Sequence, residues 1–209
     1  MSKLLLIGGG GHCRVVADSI YSLDAYEELG IVDWTDSSCF GIPVVGNDDD
    51  LPVLLREGWT DAFITVGSIG NTAIRRRLFR MASQLGFHMP AVADPTAVIA
   101  RNVEIHDGAY IGKRTVVNPG STIGVCTIIN TGAIVEHDCL VGDFAHVSPG
   151  AVLCGQVQVG TDVHVGAGSV VRQQLVIGAG SLIGAGSVVT KDIPVGATAW
   201  GNPCKVVRT

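Results

Sequence analysis

The run VGAGSVVRQQLVIGAGSLIGAGSVV, residues 165–189, sets an aliphatic residue at every sixth position: Val165, Val171, Ile177, Ile183 and Val189. Stepping by six in both directions carries the pattern from Ile99 to Val195, and all seventeen positions are Val, Ile or Leu. The next residue is Gly eight times, and the fourth residue on is Ser, Thr, Ala or Val at fourteen of the seventeen. An amphipathic helix is excluded, because its apolar stripe recurs at steps of three and four. Each six-residue unit is too short to bury its own apolar face, so the units must coil and stack their aliphatics into one continuous core. The stretch predicts a β-helix.

The pattern resembles that of the hexapeptide-repeat acyltransferases, [LIV]-[GAED]-x-x-[STAV]-x. The resemblance implies a left-handed parallel β-helix in which three hexads make one coil of about 18 residues. Left-handedness comes from the resemblance alone, since the general rule for parallel crossovers favours the opposite sense. The hexads would then fill between five and six coils, with residues 18 apart stacked on neighbouring coils at about 4.8 Å.

Composition narrows the function. Lys and Arg number 14 against 19 acids, a net charge of −5. That leaves no basic surplus for nucleic acid. The apolar run Leu4 to Ile7 breaks at four glycines, too short for a signal-peptide core or a membrane span. Six cysteines without CxxC spacing read as reduced, mostly buried thiols of a cytoplasmic protein.

Ahead of the repeats, Lys3–Ile7 reads as a buried strand, Gly8-Gly9-Gly10-Gly11-His12 as a turn, and Cys13 to Ser22 as a helix. Glycines let the backbone approach a phosphate, and a helix N-terminus favours an anion. Gly30 to Asp33 reads as a second strand ending in an acid placed to meet ribose hydroxyls. A helix over 47–57, a strand over 62–66, the phosphate-compatible turn Gly67-Ser68-Ile69-Gly70 and a helix over 71–85 follow. This is roughly half a doubly wound sheet, enough for one mononucleotide half-site rather than a whole dinucleotide. Tight turns with no ligand at all would give the same glycines. Arg75, Arg76, Arg77 and Arg80 read as a solvated helix face. The fold class is thus α/β plus all-β: a Rossmann-like half-domain over 1–88, then a β-helix over 89–209 that Gly201-Asn-Pro-Cys-Lys205 closes as a cap.

The 18-residue step also places chemistry. His137 lies two residues past inward Val135, and Gly155 lies one coil further on the same corner. A His flanked by Glu136 and Asp138 suits a general base, and a Gly N–H one coil away suits an oxyanion donor. A plain surface His fits the same pattern. His146 and His164 also stack, which opens a metal site with His137 as a third ligand; their spacing does not follow that of the hexapeptide-repeat carbonic anhydrases, and no metal is expected. His88 and His106 carry no partner signal.

The strand–GGGGH–helix start, Asp33, Asn130, the run Glu136-His137-Asp138, Gly142-Asp-Phe-Ala-His146, Gly150 and the terminal Gly-x-Pro-x-Lys together resemble the NeuD/PglD-like sugar acetyltransferases over essentially the whole chain. The resemblance implies acetyl transfer from acetyl-CoA to a nucleotide-linked amino sugar, a UDP-4-amino-4-deoxy sugar whose uridine and phosphates lie over Gly8 to Gly11 and His12. It implies His137 as the base, oriented by Asp138, with Asn130 close by. It puts Gly155, His146 and Gly150 at the acetyl-CoA, and Gly8 to Gly11, His12, Asp33 and Gly67 at the nucleotide sugar. It also implies a homotrimer with sites between subunits. Two positions differ from the family pattern: Trp34 stands where a second acid is common, and Asp138 where relatives carry Glu. A sugar O-acetyltransferase would share the fold and differ in acceptor. A sugar-nucleotide-binding scaffold would bind nucleotide and transfer nothing.

Overall fold

The computed structural model describes residues 2–208. Its first part is a parallel sheet of β1 (Lys3–Ile7), β2 (Glu28–Val32), β3 (Val44–Gly46) and β4 (Asp61–Ile64), in the order β3-β2-β1-β4. Three helices cover it: α1 (Gly11–Leu23), α2 (Leu51–Arg56) and α3 (Ala73–Leu85). Leu4 and Leu6 pack on α1, whereas Leu5 and Ile7 face the side of α2 and α3. Because both faces of β1 are covered, its sequence from Leu4 to Ile7 is continuously apolar rather than alternating. The segment expected as one helix over 47–57 begins instead as a 3-10 turn, Asp48–Asp50, capped by the Asn47 side chain on the Asp49 N–H. The three-residue edge strand β3 carries too little pattern to be read from sequence.

From Val92 onward the chain is a left-handed parallel β-helix. Its two-residue strands pair 18 residues apart, as Thr122 with Leu140 and His146 with His164. They form three sheets of eight, six and five strands. We call these the docked face, the aliphatic face and the third face. The inward column is continuous and dry, with Ile111, Ile129, Val147 and Val165 fully buried on the docked face alone.

Each corner turns in the same way. The third residue after every inward aliphatic, from Asn102 to Gly186, lies at positive φ. The repeat glycines have a different cause. A Cβ on Gly142 would sit 2.7 Å from the Thr161 nitrogen, and one on Gly160 2.6 Å from that of Ala179. These glycines mark where one coil's backbone lies against the next.

The period does slip once, contrary to the uninterrupted hexads expected. Ile177 pairs with Ile193, 16 residues on, and Leu182 with Thr198. Ile193 is buried and Val195, the expected inward residue, is 73% exposed. The corner after Val189 is two residues short, and Gly196 accordingly takes the positive-φ place of a corner residue. The end of the coil is closed by a strand over Thr198–Gly201 and an antiparallel return over Cys204–Arg208.

The first part sits on the docked face. Tyr110 and Ile128, outward residues of that face, are buried in the cores of the α/β sheet. Ser19 donates to Asp94 at 2.6 Å and pairs with the Tyr110 hydroxyl at 2.9 Å. The arginines expected as a solvated face instead bind here. Arg75 is 1% exposed and donates to the carbonyls of Cys126 and Phe144, the latter at 3.3 Å. Arg76 holds Asp162 through two bonds of 2.7 Å. Cys126, Phe144 and Asp162 are 18 apart, so two adjacent arginines grip one corner across three coils. Only Arg77 and Arg80 lie on the exposed side.

Candidate active site

The glycine loops meet at the carboxyl ends of β1 and β4, where the strand order reverses. This is the crevice in which open α/β sheets take ligands. Gly8 has φ +107, and a Cβ there would lie 2.5 Å from the Val66 side chain. Gly10 and Gly11 face open space, and Gly10 is the N-cap of α1 without a side-chain cap. Gly67 lies beside His12, its virtual Cβ 3.6 Å from that of His12. Asp33 spends both carboxylate oxygens within the loop. Oδ2 accepts from the Gly9 N–H at 2.6 Å, and Oδ1 accepts from the Thr35 N–H and hydroxyl. Burial raises its pKa, but these bonds outweigh it and hold the carboxyl below its usual range.

His12 points inward, edge-on to the Tyr110 ring at 5.4 Å, and its Nε2 has no partner among the described residues. Burial, then Arg75 and His146 nearby, push its pKa down to about 3. His146 is held from both ends. Its Nδ1 donates to the Ser68 carbonyl at 3.0 Å, so Nε2 accepts from the Asn130 amide at 3.1 Å. Burial lowers its pKa to about 4, the Ser68 carbonyl opposing and His164 and Arg75 adding. His164 meets the His146 ring edge-on at 5.0 Å, and its Nε2 pairs with the Ser148 hydroxyl. Beyond this pair an apolar cavity of about 390 Å³ runs along the docked face past Ile69, Pro149, Gly166 and Ala185. Among the described residues no cluster of three or more metal-type side chains occurs.

His137 occupies the edge between the aliphatic and third faces. Its Nδ1 lies 2.9 Å from Asp138 Oδ2, and both side chains are more than half exposed. A Cβ on Gly155 would fall 2.5 Å from His137 Nε2, so the imidazole leans over the backbone of the next coil. The Gly155 carbonyl accepts from Gln174, while its N–H has no partner among the described residues.

The expected site residues therefore divide. His137, Asp138 and Gly155 share one edge. Asn130 and Gly150 lie on the edge between the docked and aliphatic faces, with His146 beside them. Within one chain Asn130 bonds to His146, not to His137. The contributions of Ser68 and Arg75 escaped the sequence reading, whereas the 18-residue spacing of His146 and His164 gave their stacking.

This geometry defines a two-part hexapeptide-repeat protein with a nucleotide-type crevice docked on its coil. Comparison with known proteins agrees. A family profile described as the PglD N-terminal domain matches residues 3–82, and one described as bacterial transferase hexapeptide (six repeats) matches residues 138–173. The acetyltransferase domain of PglB from Neisseria gonorrhoeae, solved with acetyl coenzyme A, is 39% identical with a TM-score of 0.93 over 98% of both chains. A variant of perosamine N-acetyltransferase from Caulobacter crescentus, solved with CoA and GDP-perosamine, is 34% identical, with a TM-score of 0.94 over 100% of this chain and 98% of that one. WeeI from Acinetobacter baumannii is 25% identical, with a TM-score of 0.86 over 99% and 100%. The chain belongs to the NeuD/PglD-like sugar acetyltransferase family.

Proposed function

We propose that the chain is an acetyl-CoA-dependent N-acetyltransferase acting on a nucleotide-linked amino sugar, with His137 as general base. The observation that carries the base assignment is the edge built by Asp138, His137 and Gly155. With the Asp138 carboxylate accepting from Nδ1–H, the imidazole keeps its lone pair on Nε2, which faces the next coil. There it takes a proton from the acceptor amine as nitrogen attacks the thioester carbonyl. The oxyanion forms against the free Gly155 N–H. Collapse of the tetrahedral centre expels the CoA thiolate, which recovers the proton from the imidazolium. The apolar cavity beside His146 and His164 suits the pantetheine arm, and the crevice at Gly8–His12 and Gly67 suits the diphosphate. Asp33 supports that crevice by holding Gly9.

A trimer supplies what one chain lacks. The outward residues of the aliphatic face are Val98, Val116, Ile134, Val152, Val170 and Val188, an unbroken aliphatic stripe that is exposed or half-buried throughout. Such a stripe needs a cover. If three copies turn this face to a common axis, the His137 edge of each copy meets the Asn130 and His146 edge of the next. The contact is head-to-tail and closes as a ring. Among the described residues no helix is long and apolar enough to cross a membrane, and the fold and free thiols suit a cytoplasmic enzyme.

The test is CoA-thiol release from acetyl-CoA with a panel of nucleotide-linked amino sugars and free sialic acid. Release with an amino sugar, lowered about 10²–10⁴-fold in His137→Ala, is the expected result. Wild-type turnover by that variant would overturn the assignment, and release with sialic acid alone would move the reaction to O-acetylation.

A further inference from the structure

The residue after Asp33 is Trp34, and it is 65% exposed. A large aromatic in open solvent beside a ligand crevice is an unusual placement. It lines an open cleft of about 720 Å³ together with Asp33, Asp36, Pro43 and the edge strand β3. The cleft is continuous with the glycine loop through Asp33, whose Oδ2 holds the Gly9 N–H. That bond has a consequence for recognition. An acid at the end of the second strand commonly reads the ribose, but here both of its oxygens are engaged within the loop. The carboxylate thus helps to shape the loop, and the next side chain outward is the indole.

We propose that Trp34 is the base-reading residue of this protein: the nucleobase of the nucleotide-linked substrate stacks on the indole, in the cleft between residues 33–38 and β3. This rests on the nucleotide-sugar reading above. A diphosphate seated on Gly9–His12 leaves its nucleoside directed past Asp33 into this cleft. The exposed Asp36 carboxylate and the unpaired side of β3 stand at the rim for the polar edge of the base. Stacking selects by the area of the aromatic face, so a purine gains more than a pyrimidine from it.

The experiment measures binding of uridine diphosphate, guanosine diphosphate and base-free ribose 5-phosphate to the full chain by calorimetry. It uses the wild type, Trp34→Ala and Trp34→Phe. The expected result is that Trp34→Ala weakens the preferred nucleoside diphosphate about tenfold or more. Trp34→Phe should stay within a few-fold, and ribose 5-phosphate should bind all three alike. In turnover, Trp34→Ala should raise KM for the nucleotide sugar and leave KM for acetyl-CoA unchanged. Unchanged nucleotide affinity in Trp34→Ala overturns the stacking role while the nucleotide-sugar reading stands. A wild type that binds neither nucleotide overturns that reading, and the stacking role with it.

Discussion

Gly155 is where a single methyl group is expected to disturb the proposed base. Its φ lies outside the left-handed region, so alanine is conformationally permitted, but the added carbon would meet His137 Nε2 at 2.5 Å. Gly155→Ala should therefore keep its melting temperature and lose about 10–100-fold in kcat, because the imidazole is pushed off line. Circular dichroism and steady-state kinetics check both halves. His12 and His146 make a second prediction. Their folded pKa values, about 3 and about 4, lie below the ordinary 6.5, so between those limits the unfolded chain binds the extra protons. Their contribution to stability is whole above pH 6.5 and is lost as pH falls toward about 4 for His146 and about 3 for His12, at most about 1.4 kcal/mol per pH unit for each. Urea midpoints at pH 7 and pH 5 should differ in the wild type, and the difference should shrink in His12→Gln/His146→Gln. At this scale the sequence was informative where arithmetic suffices. The 18-residue step places His137 over Gly155 without any structure. It says nothing of Asp33, whose engagement by Gly9 depends on how a loop folds back.

The hexad itself separates two kinds of glycine. Gly142 has backbone atoms within 3 Å of a virtual Cβ, whereas Gly132 has positive φ and open space around it. Gly142→Ala must push whole coils apart and should cost about 3 kcal/mol or more, the upper end of overpacking. Gly132→Ala bears only the left-handed penalty of about 1–2 kcal/mol. Chemical denaturation of the two variants should rank them so, and the reverse order would refute the account of the repeat. The strands and their register were legible because the period is strict. The slip after Val189 was not, because Val195 falls by chance on the expected frame while Ile193 takes the core. Nor were the contacts of α3 legible. Arg75 and Arg76 sit on a helix whose polar residues look like an ordinary wet face, and their partners Cys126, Phe144 and Asp162 are set by docking, which no local pattern encodes.

At the scale of the molecule, the divided site yields a mixing experiment. Neither His137→Ala nor His146→Ala should turn over at the wild-type rate alone. Copies mixed after dissociation would contain edges where an intact His137 meets an intact His146 of the next copy, about a quarter of all sites if assembly is random. Activity should reappear on mixing, whereas a site contained within one chain would give none. Ile134→Asp/Val152→Asp should give a folded single copy by sedimentation, with activity lost. The coil also behaves as a clock face of 18 positions, on which an edge is an hour and not a place in the chain. An extra 18-residue coil inserted between Asp138 and Cys154 would return every later residue to its hour, one storey higher. A duplicated hexad would advance all of them by a third of a revolution, carrying Gly155 and everything beyond it to an edge that His137 never faces. Among insertions of whole hexads, only multiples of three therefore keep the two edges aligned, while a single corner tolerates a shorter link such as the one after Val189.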